Sequence, residues 1–259
     1  MSENKQRFGG TERVYGHEQT TKLRQAHFCV VGLGGVGTWA AEALARSAIG
    51  KLTLIDLDDI CTTNTNRQIH ALTDTIGEPK VDAMAQRIIN INPECQVACI
   101  EDFVTTDNVS ELITSDMDYV IDAIDSIPAK AALIAYCKRH KIRIITTGGA
   151  GGQIDPTQVT IGDLSKTIQD PLAAKLRNQL RRFHNFSKNT KRRFAIDCVY
   201  STEQLRYPQA NGSVSFNKPD IANARLDCSN GFGAAVVVTA TFGMFAASRA
   251  IAKFLNKPH

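Results

Sequence analysis

The sequence has no C-x-x-C pair, no apolar segment at its N-terminus and no internal repeat. Its seven cysteines are odd in number and scattered, which argues against a secreted disulfide framework and against a four-cysteine zinc site. Residues 1–7 are polar and lack the apolar core of a signal peptide. We therefore expect a protein of the reducing cytoplasm. At 259 residues it fits one large α/β domain, alone or with an appended piece.

The most informative stretch begins with an apolar strand at residues 28–31 and continues through a glycine turn into a helix of small residues. A second strand at residues 51–55 ends at Asp56, an acidic residue that can hold a ribose. Glycines allow a tight turn, and a helix N-terminus favours the charge of a phosphate. The stretch predicts a nucleotide pocket. Its glycines are Gly32, Gly34, Gly35 and Gly37.

Strand and helix patterns alternate along the first part of the chain, which implies βαβ units. The sequence therefore predicts an α/β fold with a Rossmann-like, mainly parallel sheet flanked by helices. Ligands bind at the carboxyl ends of such strands. Asp56, Asp125 and the glycine-rich turn at residues 146–152 are therefore expected along one rim.

The part after residue 152 has a different pattern. Residues 153–161 and 195–200 predict strands of an antiparallel extension, with a basic insertion between them. We expect a single domain, residues 1–259, with a nucleotide-binding part (1–152) and a part for substrate and dimerisation (153–259). The last apolar element, residues 226–255, favours a core or interface helix. Its uncharged run leaves inner-membrane association through residues 228–255 as an alternative.

Basic residues concentrate in residues 166–193, where only Asp170 opposes them. The rings of Phe183, His184 and Phe186 can stack on bases, which favours a nucleic-acid-facing arm over a solvated loop. The candidate nucleic-acid contacts are Lys175, Arg177, Arg181, Arg182, Lys188, Lys191, Arg192 and Arg193.

Polar residues beyond the glycine turn have a spacing that a dinucleotide enzyme does not require and an ATP-using adenylyltransferase does: Asp58, Asn64, Arg67, Lys80 and Asp125. Arg67 and Lys80 would neutralise the β- and γ-phosphates as charge builds on the leaving pyrophosphate. Asp125 would bind Mg²⁺ at the attacked α-phosphate. Of the remaining candidates, Cys61 and Cys228 are expected to be packed thiols, with a redox or sulfur-transfer contact as the alternative for Cys61 and a place at the rim of the active site for Cys228. His70 and His184 are expected to be surface or packing residues rather than catalytic bases.

At these residues the sequence resembles the ThiF/MoeB-type, ubiquitin-activating-like adenylyltransferases. The resemblance implies ATP and Mg²⁺ as cofactors, with a phosphate contact at Gly35 and a ribose contact at Asp56. It implies nucleotide contacts at Asn64, Arg67 and Lys80, and a metal ligand at Asp125. It also implies a homodimer in which an N-terminal arginine, Arg13 or less favourably Arg7, reaches the neighbouring subunit's ATP.

Residues 64–72, 146–158, 166–175 and 227–233 resemble the CsdL/TcdA branch of this family, which acts on tRNA. That branch implies that ATP activates the carboxylate of threonylcarbamoyladenosine beside the anticodon as an acyl-adenylate. A neighbouring atom of the same substituent then closes a ring and expels AMP, which gives cyclic threonylcarbamoyladenosine. The resemblance also suggests a monovalent cation, Na⁺ or K⁺, and as partners a cysteine desulfurase and its sulfur-acceptor protein.

Two other functions stay open on the residues alone. One is an adenylyltransferase that activates a sulfur-carrier or ubiquitin-like protein, and the other is a nicotinamide-binding redox or regulatory protein. The zinc-binding cysteine pairs common in sulfur-carrier-activating members are absent, as is an acceptor cysteine in a clear thioester context.

Overall fold

The structure, a computed structural model, describes residues 3–209, 211–217 and 232–256, with side chains from residue 6 onward. The strands are β1 (His27–Val31), β2 (Lys51–Ile55), β3 (Gln96–Ile100), β4 (Tyr119–Asp122), β5 (Ile144–Thr147), β6 (Val159–Asp163), β7 (Asp197–Ser201), β8 (Tyr207–Pro208) and β9 (Val214–Ser215). The α-helices are α1 (Glu3–Tyr15), α2 (His17–Gln25), α3 (Gly37–Arg46), α4 (Lys80–Ile91), α5 (Val109–Leu112), α6 (Ile127–His140), α7 (Pro171–Phe183) and α8 (Val236–Leu255).

Seven strands form one sheet in the order β3-β2-β1-β4-β5-β7-β6. All neighbours are parallel except β6, which runs antiparallel to β7 at the edge. This confirms the predicted α/β fold and its antiparallel extension. The chain order reverses between β1 and β4, the place where open α/β sheets bind ligands. Val31 pairs with both Ile55 and Asp122, so the loops after β1, β2 and β4 leave the sheet at one level.

The sheet separates two apolar layers, and successive residues of β1 point into them alternately. Phe28 and Val30 face the layer that contains α3, α4 and α8. Cys29 and Val31 face the layer that contains α5, α6 and α7. Because β1 is buried on both faces, it reads in the sequence as an uninterrupted apolar run.

Helix α8 crosses the first layer and packs against α3. Phe242 and Ala246 are fully buried, and a Cβ on Gly243 would lie 2.5 Å from the carbonyl oxygen of Val36. Among the described residues, α8 is the one helix long and apolar enough to cross a membrane, with 44% of its most apolar window buried in protein. A core helix passes the same test, so α8 does not indicate a membrane protein.

The structure corrects several predicted boundaries. Helix α1 continues through Gly9 and Gly10 without a break, although glycines in a polar N-terminal segment favour one. Strand β6 begins only at Val159, because Pro156 opens a short 3₁₀ turn before it. Helix α7 occupies the centre of the basic insertion at residues 166–193, for which no secondary structure was predicted. Residues 226–231 of the last apolar element, Cys228 among them, lie outside the described residues.

Candidate functional site

The turn after β1 is closed by direct contact between its first and last glycines. A Cβ on Gly37 would lie 1.8 Å from the carbonyl oxygen of Gly32. Gly32 itself has φ +87° and approaches the backbone of Ala123, which follows β4. Side chains at these two positions would push apart the turn and the loop beside it. Helix α3 begins directly at Gly37, so its N-terminus faces the rim of the sheet.

The middle of the turn leaves room on one side and contacts an arginine on the other. A Cβ on Gly34 would meet no atom within 4 Å, whereas one on Gly35 would lie 2.9 Å from Cγ of Arg67. The half-buried Arg67 guanidinium donates through Nη1 to the Thr63 carbonyl and the Asn66 side chain, both at 3.0 Å. These contacts hold its charge beside the glycine turn.

Asp56 is buried at the end of β2, and its carboxylate accepts backbone hydrogen bonds from Leu33 and Asp58. Burial raises its pKa, against the opposing effects of the Lys80 charge and of these two bonds. The Asp56 carboxylate thus connects the turn after β1, which contains Leu33, to the loop after β2, which contains Asp58. Its remaining capacity to accept hydrogen bonds suits a ribose hydroxyl.

Lys80 is the buried cation of this rim, at 6% exposure. Its Nζ donates to Asp58 Oδ2 at 2.7 Å and lies 3.8 Å from Asp56 Oδ1. The Lys80 backbone N–H also donates to the Asp58 carbonyl, so both ends of the residue are fixed. The ammonium is therefore held in place between these two carboxylates by the fold itself.

The Asn64 side chain stabilises the short 3₁₀ turn of residues 62–64, in which it lies. It is buried, and its Oδ1 accepts from the Cys61 backbone N–H at 2.9 Å. The Cys61 side chain is exposed, so the expectation that this thiol is packed was wrong.

His70 is a packing residue, as expected: it is 2% exposed, and burial followed by the Lys80 charge lowers its pKa to about 4. His184 is half-buried, and burial followed by the Arg139 charge lowers its pKa.

Asp125 is exposed at the rim, three residues beyond β4. Asp122, the last residue of β4, is fully buried and holds the loop at its base. It accepts from Thr146 Oγ1 at 2.6 Å and from the Ile124 N–H at 3.2 Å, and it pairs with Lys130 Nζ at 3.0 Å. We did not predict this pair from the sequence. An apolar helix face interrupted by a lysine at Lys130, eight residues after an aspartate, was the signal for it.

Within the described ranges, no group of three or more His, Cys, Asp or Glu side chains could hold a metal ion. The exposed carboxylate of Asp125 nevertheless fits Mg²⁺, because this ion commonly binds through one or two carboxylates together with substrate phosphates and water.

Arg13 is exposed in the last turn of α1. It makes no hydrogen bond or ion pair to the rim of its own chain in the part of the structure that is described.

The basic segment divides into packed and exposed members. Arg177 donates to Thr167 Oγ1, and Arg181 lies over the Phe194 ring at 5.2 Å. Phe186 is buried against Phe194, so the expectation that Phe186 stacks on bases was wrong. Phe183 is 59% exposed. The predicted contacts that face solvent are Lys175, Arg182, Lys188, Lys191, Arg192 and Arg193.

Comparisons with known proteins match nearly the whole chain. It is 58% identical to the tRNA threonylcarbamoyladenosine dehydratase of Escherichia coli (strain K12), over 98% of this chain and 95% of that protein. It is 57% identical to the Haemophilus influenzae protein of the same name, over 97% and 94%. A crystal structure of the E. coli protein in complex with ATP has a TM-score of 0.86 at 56% identity, covering 96% of this chain and 94% of that one.

The model of the ThiF family matches residues 10–259. The match therefore includes the glycine turn, the loop of Asp125 and the basic segment. This chain belongs to the ThiF family.

Proposed function

We infer that this protein is an ATP-dependent tRNA threonylcarbamoyladenosine dehydratase. It adenylates the carboxylate of N6-threonylcarbamoyladenosine beside the anticodon and promotes its cyclisation. The observation that carries this conclusion is the 58% identity to the E. coli enzyme over 98% of the chain. Identity over that length includes residues 153–259, which an adenylation site alone does not explain.

The first step uses the groups at the rim. ATP lies along the glycine turn, with its ribose at Asp56 and its phosphates at the N-terminus of α3. A carboxylate oxygen of the substrate attacks the α-phosphorus, and the bond from that phosphorus to the oxygen bridging to the β-phosphate breaks. Pyrophosphate leaves with the electron pair. Lys80 and Arg67 stabilise the charge that builds on it, an effect available only when the cations are already in position.

Asp125 would hold Mg²⁺ beside the α-phosphate, where the ion neutralises charge on the phosphate oxygens. The resemblance alone adds three further proposals: a monovalent cation (Na⁺ or K⁺), a cysteine desulfurase and its sulfur-acceptor protein. We also propose a homodimer, in which the exposed Arg13 reaches the partner subunit's ATP, and a cytoplasmic location.

The second step needs no nucleophile from the protein. The attacking atom belongs to the same substituent as the activated carboxyl group, and well-oriented intramolecular reactions reach effective molarities of about 10⁵ M and above. Ring closure breaks the acyl–phosphate bond and expels AMP. In balance, ATP and the modified tRNA give the cyclised tRNA, AMP and pyrophosphate, and the nucleoside loses one water.

The test is an incubation of purified protein with ATP, Mg²⁺ and tRNA that carries the threonylcarbamoyl group. We expect AMP and pyrophosphate in equal amounts, and a nucleoside lighter by one water in mass spectrometry. The same tRNA without the threonylcarbamoyl group is the control and should release neither. An adenylated sulfur-carrier tail without any change in tRNA mass would instead support the carrier-activating function.

A second arm tests the metal ligand. Asp125→Asn should abolish most AMP formation at low Mg²⁺ and recover part of it as Mg²⁺ is raised. Glu94→Gln is a matched control, because Glu94 is exposed just before β3, at the amino ends of the strands, whereas Asp125 lies at their carboxyl ends. An unchanged Mg²⁺ dependence in Asp125→Asn would remove this residue from the site.

A further inference from the structure

A cleft of about 360 Å³ opens between the start of α7 and the hairpin of β8 and β9. Gln169 and Arg177 line one wall, and Gln204, Tyr207 and Phe216 line the other. Small-molecule sites are clefts of about 300–1,000 Å³, so this cleft has room for a nucleoside. None of these residues belongs to the rim of β1, β2 and β4 that we assign to ATP.

Both walls are attached to the glycine-rich turn that follows β5. On one side, Asp170 Oδ2 accepts from the Gly149 N–H at 3.1 Å. On the other, the Arg206 N–H donates to the Gly152 carbonyl at 2.8 Å. Because β5 pairs with β4, whose end leads to Asp125, the cleft lies along the same rim as the adenylation site. The two sites are therefore neighbours at the carboxyl ends of adjacent strands.

The charges of the cleft disfavour a phosphate at its floor. Asp170 is 5% exposed and caps α7, where its Oδ1 accepts from the Ala173 N–H at 2.9 Å. A carboxylate already occupies the N-terminus of this helix, the place where an anion would otherwise bind. The floor of the cleft thus favours a neutral group over a second anion.

The walls have the chemistry that recognises a base. Two aromatic rings and the Arg177 guanidinium provide flat surfaces for stacking, and two glutamines provide amide donors and acceptors for base edges. Arg206 lies over the Phe216 ring at 5.2 Å and helps to orient it. Gln169 has φ +54°, in the left-handed region, a kind of strain that clusters at ligand-binding positions.

We propose that this cleft receives the single nucleoside that carries the threonylcarbamoyl group, with its base stacked on Phe216 and Arg177. The threonylcarbamoyl arm then extends along the rim, past the glycine-rich turn, toward the α-phosphate. Arg177 shares α7 with Lys175 and Arg182, so the cleft is continuous with the basic surface proposed for tRNA. This inference rests on the proposed function.

The test compares Phe216→Ala with Phe103→Ala under steady-state conditions. Both rings are about half exposed, at 49% and 52%, so neither truncation removes core packing. Phe103 follows β3, at the opposite edge of the sheet from the cleft. Because stacking of one base on an aromatic ring has a large effect on binding, we expect Phe216→Ala to raise KM for modified tRNA about tenfold. KM for ATP should stay unchanged. Phe216→Trp keeps an aromatic ring at this position and should have the wild-type KM for modified tRNA.

Free N6-threonylcarbamoyladenosine provides a second readout. It should inhibit the wild-type enzyme competitively with tRNA, and Phe216→Ala should weaken that inhibition to the same extent. The cleft assignment is overturned if an active wild-type enzyme and Phe216→Ala share one KM for tRNA, or if Phe103→Ala has an equal effect. A wild-type protein that releases no AMP from modified tRNA would instead contradict the proposed function.

Discussion

Lys130 Nζ lies 3.0 Å from Asp122 Oδ1, and both side chains are fully buried beneath the loop of Asp125. The same ammonium approaches the Asp122 carbonyl oxygen at 3.4 Å. Because the carboxylate also binds the Ile124 N–H, this pair orients the backbone that leads to the proposed metal ligand.

Removing one member of this pair should destabilise the protein strongly. Lys130→Met leaves a buried carboxylate without its cation, and such losses cost about 3–5 kcal/mol. Urea unfolding would measure the difference. The pair of Lys51 with Asp116, whose side chains are 39% and 60% exposed, provides the control, since Lys51→Met should cost about 0.5 kcal/mol or less. Equal stabilities of Lys130→Met and wild type would show that the buried pair does not hold the loop.

Lys80→Ala should reduce the rate of AMP formation by about 10²-fold or more, because a charge stabiliser of the leaving pyrophosphate is lost. Binding of modified tRNA should change little, since the lysine lies among Asp56 and Asp58 rather than on the basic segment. Lys51→Ala is the matched control, as Lys51 begins β2 and so lies at the amino end of the strand, away from the rim. A rate within twofold of wild type would exclude Lys80 from the reaction.

His70 should make stability depend on pH between about 6.5 and 4. Its pKa is about 4 in the folded protein against 6.5 ordinarily, so the unfolded chain binds the proton first as pH falls. The stability from this residue is therefore complete above pH 6.5 and is lost on acidification to pH 4, by about 3 kcal/mol. Urea unfolding across this range measures the free energy of unfolding at each pH, and this free energy should fall less steeply on acidification in His70→Phe than in wild type. Equal pH dependence in the two proteins would contradict the lowered pKa of His70.

The exposed members of the basic segment should set the salt dependence of tRNA binding. Neutralising Arg192 and Arg193 to glutamine should weaken binding and flatten the plot of log affinity against log salt, by about 0.7–0.9 for each phosphate that the protein no longer neutralises. The matched double variant replaces Arg46 and Lys253, which are also exposed and lie on α3 and α8, in the layer on the other side of the sheet from α7. If both double variants gave the same slope, the segment would be a solvated surface.

Features that depend on residues adjacent in the sequence could be predicted. The glycine turn, Asp56 and the alternation of strands and helices depend on local conformation and burial, which leave a periodic pattern. Contacts between separate elements left no periodic pattern, and the buried pair of Asp122 and Lys130 left only a lysine on an apolar helix face. Asp122 and Lys130 interact across a strand and a helix, and Phe186 is buried by Phe194, so its ring resembled an available stacking surface in the sequence alone. The start of β6 was misplaced because residues 156–158 form a 3₁₀ turn, capped by the Asp155 side chain, before the strand begins.

The cleft beside α7 could not be predicted at all. Its walls come from residues 169–177 and 204–216, which are brought together only because α7 and the β8–β9 hairpin attach to one turn. No spacing rule connects the two segments.

The turn after β5 has a mechanical consequence. A Cβ on Gly148 would lie 1.7 Å from Asp170 Oδ2, and one on Gly152 would lie 2.9 Å from the Arg206 carbonyl oxygen. Enlarging either glycine would therefore displace one wall of the cleft, and the displacement would pass through β5 to β4, the strand that leads to Asp125. The position of the nucleoside and the alignment of the phosphates thus depend on the same few backbone atoms of the turn after β5.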